Sequence, residues 1–64
     1  MIDEITYQTA KKGYESYCAS TYNKSVVTGD TLPPWEELPE AVQTAWFAAA
    51  KGMIGYLASL GDII

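Results

Sequence analysis

The second half of the chain constrains the fold most strongly, because it is apolar on more than one face of a predicted helix. One stripe has heptad-like spacing and a second lies about one residue further round. The first comprises Val42, Trp46, Ala49, Met53, Tyr56 and Leu60, and the second comprises Phe47, Ala50, Ile54 and Leu57. A helix that is apolar around most of its surface has to be buried around most of it. The pattern therefore predicts that this helix contacts more than one neighbour.

A first helix is predicted over residues 3 to about 21. Asp3 suits the N-cap position, because its carboxylate can accept a hydrogen bond from a free amide of the first turn. Aromatic and small residues then recur at helical spacing on one face. They are Tyr7, Ala10, Tyr14 and Tyr17.

The connection over residues 22–38 contains β-branched residues, a turn signal around Gly29 and two prolines. A lone extended segment cannot make a sheet, so it is predicted to be an ordered loop. The second helix is predicted from 39 to about 60, with Gly61 as its stop. The expected fold is all-α: one domain over 1–64, built as an antiparallel helical hairpin with a proline-containing ordered loop and assembled as an oligomer.

Oligomer formation is expected because few other sources of stability are open to a chain of 64 residues. Small domains bury a limited fraction of their surface and usually need a disulfide, a metal or self-association. Cys18 is the only cysteine and there is no histidine, so neither an internal disulfide nor a metal site is expected. The predicted interface comprises Trp46, Phe47, Ala50, Met53, Ile54 and Leu57.

Charge and composition exclude several classes of function. The net charge is −4, with eight acids and four lysines, which argues against nucleic-acid binding. Without histidine the commonest general base is missing, so the chain is predicted not to be an enzyme, and no cofactor is implied. Polar residues interrupt 41–60, so no membrane span is expected. The N-terminus lacks the pattern of a signal peptide.

The two tryptophans have two interpretations. In the structural one, Trp46 anchors the core, while Trp35 caps the open end of the hairpin with Leu32 and Leu38. In the functional one, a tryptophan forms a stacking wall for a ligand. The candidate ligand-binding residues are Trp35, Tyr14, Lys24 and Lys51. Lys51 draws interest because it lies among alanines and glycines on an apolar helix.

Three sequence elements resemble a group of short proteins encoded by tailed bacteriophages. The elements are a Tyr-x-x-Tyr helix, a Gly-x-x-Leu-Pro-x-Trp-x-x-Leu stretch and a Gln-x-x-Trp-x-x-Ala-Ala stretch. Their residues here are Tyr14 and Tyr17; Gly29, Leu32, Pro33, Trp35 and Leu38; and Gln43, Trp46, Ala49 and Ala50. A weaker likeness, to the ryanodine-receptor-type repeat, implies no ligand.

The resemblance implies a phage protein located in the host cytoplasm. Without catalytic residues, such a protein is expected to act by binding. The first hypothesis is inhibition of a bacterial defence system, either by binding a host protein or by sequestering a nucleotide signal. The alternative is a structural or assembly accessory of the virion, for which self-association is itself the function.

Overall fold

The computed structural model describes residues 2–63, with side chains for residues 2–61. Helix α1 spans Glu4–Ser20 and helix α2 spans Glu40–Ile63, with a short 3-10 turn at Trp35–Glu37 between them. Within the described residues there is no strand, only an isolated antiparallel bridge between Lys24 and Thr31. The prediction of an all-α helical hairpin is confirmed.

Asp3 caps the start of α1, as its residue type predicts. Its carboxylate accepts hydrogen bonds from the amide of Thr6 at 2.8 Å and from the Thr6 hydroxyl at 3.0 Å. These bonds, the backbone one first, hold the pKa of Asp3 below its usual value. At the other end of α1, Tyr22 and Asn23 adopt the left-handed region, with φ of 56° and 62°. The Asn23 amide then donates to the Cys18 carbonyl at 2.7 Å, which closes the helix and turns the chain back.

The connection folds against the end of α1. The Val26 amide donates to the hydroxyl of Tyr17 at 3.0 Å, and the Leu32 amide donates to the Asn23 carbonyl at 2.7 Å. Gly29 adopts a φ of 77°, which glycine tolerates without steric cost. The chain thereby returns alongside α1 and places the 3-10 turn over the helix.

Helix α2 starts where proline chemistry predicts but ends later than expected. The carbonyl of Pro39 accepts from the amides of Val42 and Gln43, at 3.0 and 3.1 Å. The helix then runs to Ile63, so the predicted stop at Leu60 and Gly61 is wrong. A glycine stops a helix by adopting the left-handed conformation. Among the described glycines only Gly29 has a positive φ.

Trp35 is the centre of the core. Its side chain is 1% exposed and is the largest that is fully buried among the described residues. Its ring centroid lies 5.9 Å from those of Tyr7 and Tyr14 and 5.8 Å from that of Phe47. Trp46, predicted as the core anchor, is only partly buried and packs against the rings of Tyr14 and Tyr17. The reason is that the 3-10 turn inserts Trp35 between the helices. Helical periodicity does not predict this placement, because Trp35 lies outside both helices.

The face of α2 that packs on α1 differs from the one expected to do so. Phe47 and Ala50, assigned to the stripe that needs a second chain, pack within this chain together with Trp46. Ala50 is buried within the chain, while Trp46 and Phe47 are partly buried against the core, so the single chain covers part of the predicted oligomer interface. Ile54 is partly buried. Of the predicted interface, only the side chains of Met53 and Leu57 are largely exposed.

Candidate functional site

The far half of α2 carries an exposed apolar face, here called the distal face and defined as Met53, Tyr56, Leu57 and Leu60. These positions are spaced i, i+3, i+4 and i+7, which places them on one side of the helix. Their exposed fractions are 57%, 64%, 65% and 37%. Such spacing is typical of a helix that docks against another apolar surface.

The distal face is exposed because α2 extends beyond the start of α1. Asp3, which starts α1, lies close enough to Lys51 to be influenced by its charge. Helix α2 continues to Ile63, twelve residues beyond Lys51, or about 18 Å at the usual rise per residue. Every residue from 55 to 61 is exposed. An apolar helical end of this kind, with few contacts from its own chain, is uncommon in soluble monomers.

Two glycines make this end of α2 weak as an isolated helix. An added Cβ at Gly52 or Gly55 meets no described atom within 4 Å, so the packing of the single chain does not require glycine there. Each glycine lowers helix propensity by about 1 kcal/mol relative to alanine. Short helical segments without tertiary packing are marginal in water. A partner packed on the distal face would stabilise the segment.

A second feature is an open groove of about 370 Å³ between the second half of α1 and the connection. Tyr14, Glu15 and Cys18 form the helical wall, and the opposite wall includes Leu32 and Pro33. The hydroxyl of Tyr14 donates a hydrogen bond across the groove to the carbonyl of Pro33. This bond ties the connection to α1.

The groove is flanked by negative charge. Glu15 and Glu36 lie on its walls, and no lysine lines it among the described side chains. Lys11 sits outside the lining and pairs with Glu36 at 3.3 Å. This bond raises the pKa of Lys11. The pKa of Glu36 is lowered, first by its own backbone amide and then by Lys11.

Burial governs the titration of Tyr14. Its side chain is 2% exposed, and burial, followed by interactions with Cys18, raises its pKa to about 12. The neutral hydroxyl is therefore the form present over the physiological range, and it can donate to Pro33. Tyr14 therefore has a structural role, because its hydrogen bond joins α1 to the connection.

The predicted ligand-binding residues do not come together. Trp35 and Tyr14 line the groove, but with 1% and 2% exposure their rings offer no open face for stacking. Lys24 donates to the Thr31 hydroxyl at 3.2 Å, beyond the end of α1. Lys51 lies near the start of α1, about 25 Å from its end for a helix of this length. One small ligand cannot meet both lysines of a single chain.

Sequence reasoning missed Glu15, Glu36 and Cys18 as residues of one groove. The separation between Glu15 and Glu36 gives no periodic signal, because the turn at Tyr22 and Asn23 brings them together. The left-handed backbone at Tyr22 could not be read from its residue type, since tyrosine seldom adopts it, whereas asparagine does so more often. In the described part of the chain no group of three or more acidic or thiol side chains is arranged to hold a metal ion.

Neither described helix is long and apolar enough to cross a membrane. No protein-family model matches the sequence, and no significant similarity to a curated protein or to a solved structure is found.

Proposed function

We propose that this chain is a phage-encoded, non-enzymatic binding protein that inhibits a bacterial defence system by binding a host protein in the host cytoplasm. The observation that carries the binding role is the distal face. Four large apolar side chains at helical spacing lie exposed at one end of the molecule. The phage origin rests on the sequence resemblance at Tyr14–Tyr17, Gly29–Leu38 and Gln43–Ala50.

The proposed working form is a homodimer or larger assembly joined through the distal face. Fully burying a large apolar side chain contributes about 1.5–3 kcal/mol relative to leaving it in water, and burying the exposed 37–65% of each of these would contribute a corresponding part of that. Residues 52–61 contain no charged side chain. A twofold interface places a surface against its own copy, so an uncharged face meets no like charge there. These properties support self-association at this end of α2.

The residue content of the chain favours a binding role over a catalytic one. There is no histidine, and the one thiol, Cys18, is buried. The acids Glu36, Glu37 and Glu40 lie at the starts of helical segments, where the helix dipole favours negative charge. Their position at these starts accounts for their charge without a catalytic role.

A nucleotide signal is the second candidate target. Lys51 is exposed, but it lies two residues before Met53 and therefore about 160° round α2 from the distal face. A seam between two distal faces would not contain it, so self-association does not build a phosphate site from this lysine. The groove itself does not support this target, because Glu15 and Glu36 would repel an anion.

The defence role can be tested by expressing the chain alone in bacteria with and without defence systems, then infecting them with a sensitive phage. The proposal expects rescue of phage growth in defended cells only. Leu57→Glu should abolish rescue, while Val27→Glu, at an 88% exposed position away from the distal face, should retain it. Native mass spectrometry of the protein recovered from these cells separates the targets, since a bound nucleotide and a bound protein differ in mass.

Two outcomes would count against this role. Absence of rescue across a panel of defended hosts contradicts inhibition of defence. Presence of the protein in purified virions, together with defective particles when it is deleted, would support the assembly accessory instead.

A further inference from the structure

The groove beside α1 offers negative charge and hydrogen-bond acceptors, with the side-chain amide of Asn23 as a donor on its lining. Glu15 and Glu36 stand on its walls, with no lysine among its described lining residues. Pro33 and Pro34 have no backbone N–H to donate. The indole N–H of Trp35 is already donated inside the core. A ligand that carries positive charge and several N–H donors therefore complements this groove.

We infer that the groove is a binding site for an arginine or lysine side chain on an extended segment of a partner protein. The inference rests on the proposed function only in taking the partner to be a protein. A volume of about 370 Å³ lies within the usual range of ligand clefts. The partly buried Leu32 and Pro33 supply an apolar wall for the methylene groups of a long basic side chain. The net charge of −4 favours approach of a basic segment.

Lys11 acts as an internal competitor for this ligand. Its ammonium group reaches Glu36 at 3.3 Å from outside the groove lining. It therefore neutralises Glu36 in the free protein, and its charge also acts on Glu15. Removing Lys11 should release Glu36 and tighten binding, whereas removing either carboxylate should weaken it. An incidental surface ion pair, with no ligand nearby, would produce neither effect.

The groove and the distal face lie at opposite ends of the hairpin. The groove uses the second half of α1, at Tyr14, Glu15 and Cys18, while the distal face projects past the start of α1. Since α1 has 17 residues, the two regions are separated by up to about 25 Å. A second copy on the distal face therefore leaves the groove open to a partner.

The test is an NMR titration of the full chain with two blocked pentapeptides, in which a central arginine or a central citrulline is flanked by glycines. Citrulline keeps the shape and removes the charge. We expect the arginine peptide to shift the amides of Asn23, Leu32 and Glu36, with several-fold weaker binding of the citrulline peptide. Glu15→Gln and Glu36→Gln should each weaken arginine binding several-fold, and Lys11→Gln should strengthen it.

Cys18 provides a second readout, because it is the only cysteine and lies on the groove. Saturating arginine peptide should slow its alkylation by iodoacetamide, and the citrulline peptide should not.

Equal affinities for the two peptides, or no shifts at the groove residues, would overturn the inference. Free spermidine binding as tightly as the arginine peptide would also overturn it, in favour of a small-cation site. Phage rescue and self-association do not depend on this titration, so its failure is distinguishable from failure of the proposed function.

Discussion

The indole nitrogen of Trp35 donates a hydrogen bond to the hydroxyl of Tyr7 at 3.1 Å, across 28 residues of sequence. The two rings also meet edge to face, with centroids 5.9 Å apart and planes at 88°. The connection is thus fixed to α1 by both a polar and an aromatic contact. A second bond, from the side-chain Nε2 of Gln43 to the Trp35 carbonyl at 2.9 Å, joins the same residue to α2. Trp35 therefore links all three elements of the hairpin.

Trp35→Ala should cost about 3–5 kcal/mol of folding free energy, as large aromatic truncations in cores do. A chain this short has a total stability of only about 3–10 kcal/mol, so the variant should be largely unfolded. Trp46→Ala removes a partly buried ring and should cost roughly half as much. Urea unfolding followed by circular dichroism measures both. If Trp46→Ala proved the more damaging change, the assignment of Trp35 as the core centre would be wrong.

Tyr14 should titrate later than the other tyrosines. Its pKa is raised from 10.0 to about 12, so folding favours its neutral form. The associated stability is complete below pH 10 and is lost as the pH rises through about 12. Phenolate absorbance should therefore show one of the five tyrosines ionising last, and Tyr14→Phe should remove that late step. A single transition near pH 10 for all five would contradict the burial of Tyr14.

The cap at Asp3 should contribute through its hydrogen bonds to Thr6. Asp3→Ala should lower the melting temperature because the amide of Thr6 loses its acceptor, while Asp3→Asn should retain most of the stability. The pKa of Asp3 is lowered in the folded chain. Its contribution is therefore present above the unfolded value of 3.8 and is lost as the pH falls through the lower folded value. Equal melting temperatures for Asp3→Ala and the wild type at pH 7 would show that the cap does not matter.

Gly13 is predicted to be replaceable by alanine. An added Cβ would lie 3.6 Å from Cζ3 and 3.8 Å from Cε3 of Trp46, which is ordinary van der Waals contact. The substitution should therefore stabilise α1 by up to about 1 kcal/mol. Thermal unfolding of Gly13→Ala checks this expectation. A destabilised variant would mean that Trp46 packs more tightly on α1 than this geometry shows.

Much of the hairpin follows from the sequence, because helices leave a periodic signal. The face of α1 was correctly indicated by Ala10 and Tyr14, and the cap at Asp3 follows from its residue type. The central place of Trp35 could not be inferred, since it depends on how a non-periodic connection folds back over α1. For the same reason, the groove walls at Glu15 and Glu36 were not foreseen as neighbours.

The sequence also does not predict which face of α2 packs inside the chain and which face is exposed. The sequence indicates both apolar stripes, but the stripe that contains Phe47 and Ala50 packs on α1, and Trp46 packs beside it. A difference of one residue is about 100° on a helix, and long aromatic side chains can span it. Periodicity therefore identifies that two faces are apolar without deciding which one the chain itself covers.

Self-association through the distal face is the central claim, and sedimentation velocity tests it most directly. Wild-type protein at micromolar concentration should sediment as a dimer or larger species. Leu57→Glu should sediment as a folded monomer, because it places a charge on an apolar seam at a position 65% exposed within the chain. Val27→Glu, also at an exposed apolar position, should sediment like the wild type. A well-folded wild-type monomer of 7.0 kDa across this concentration range would contradict the claim.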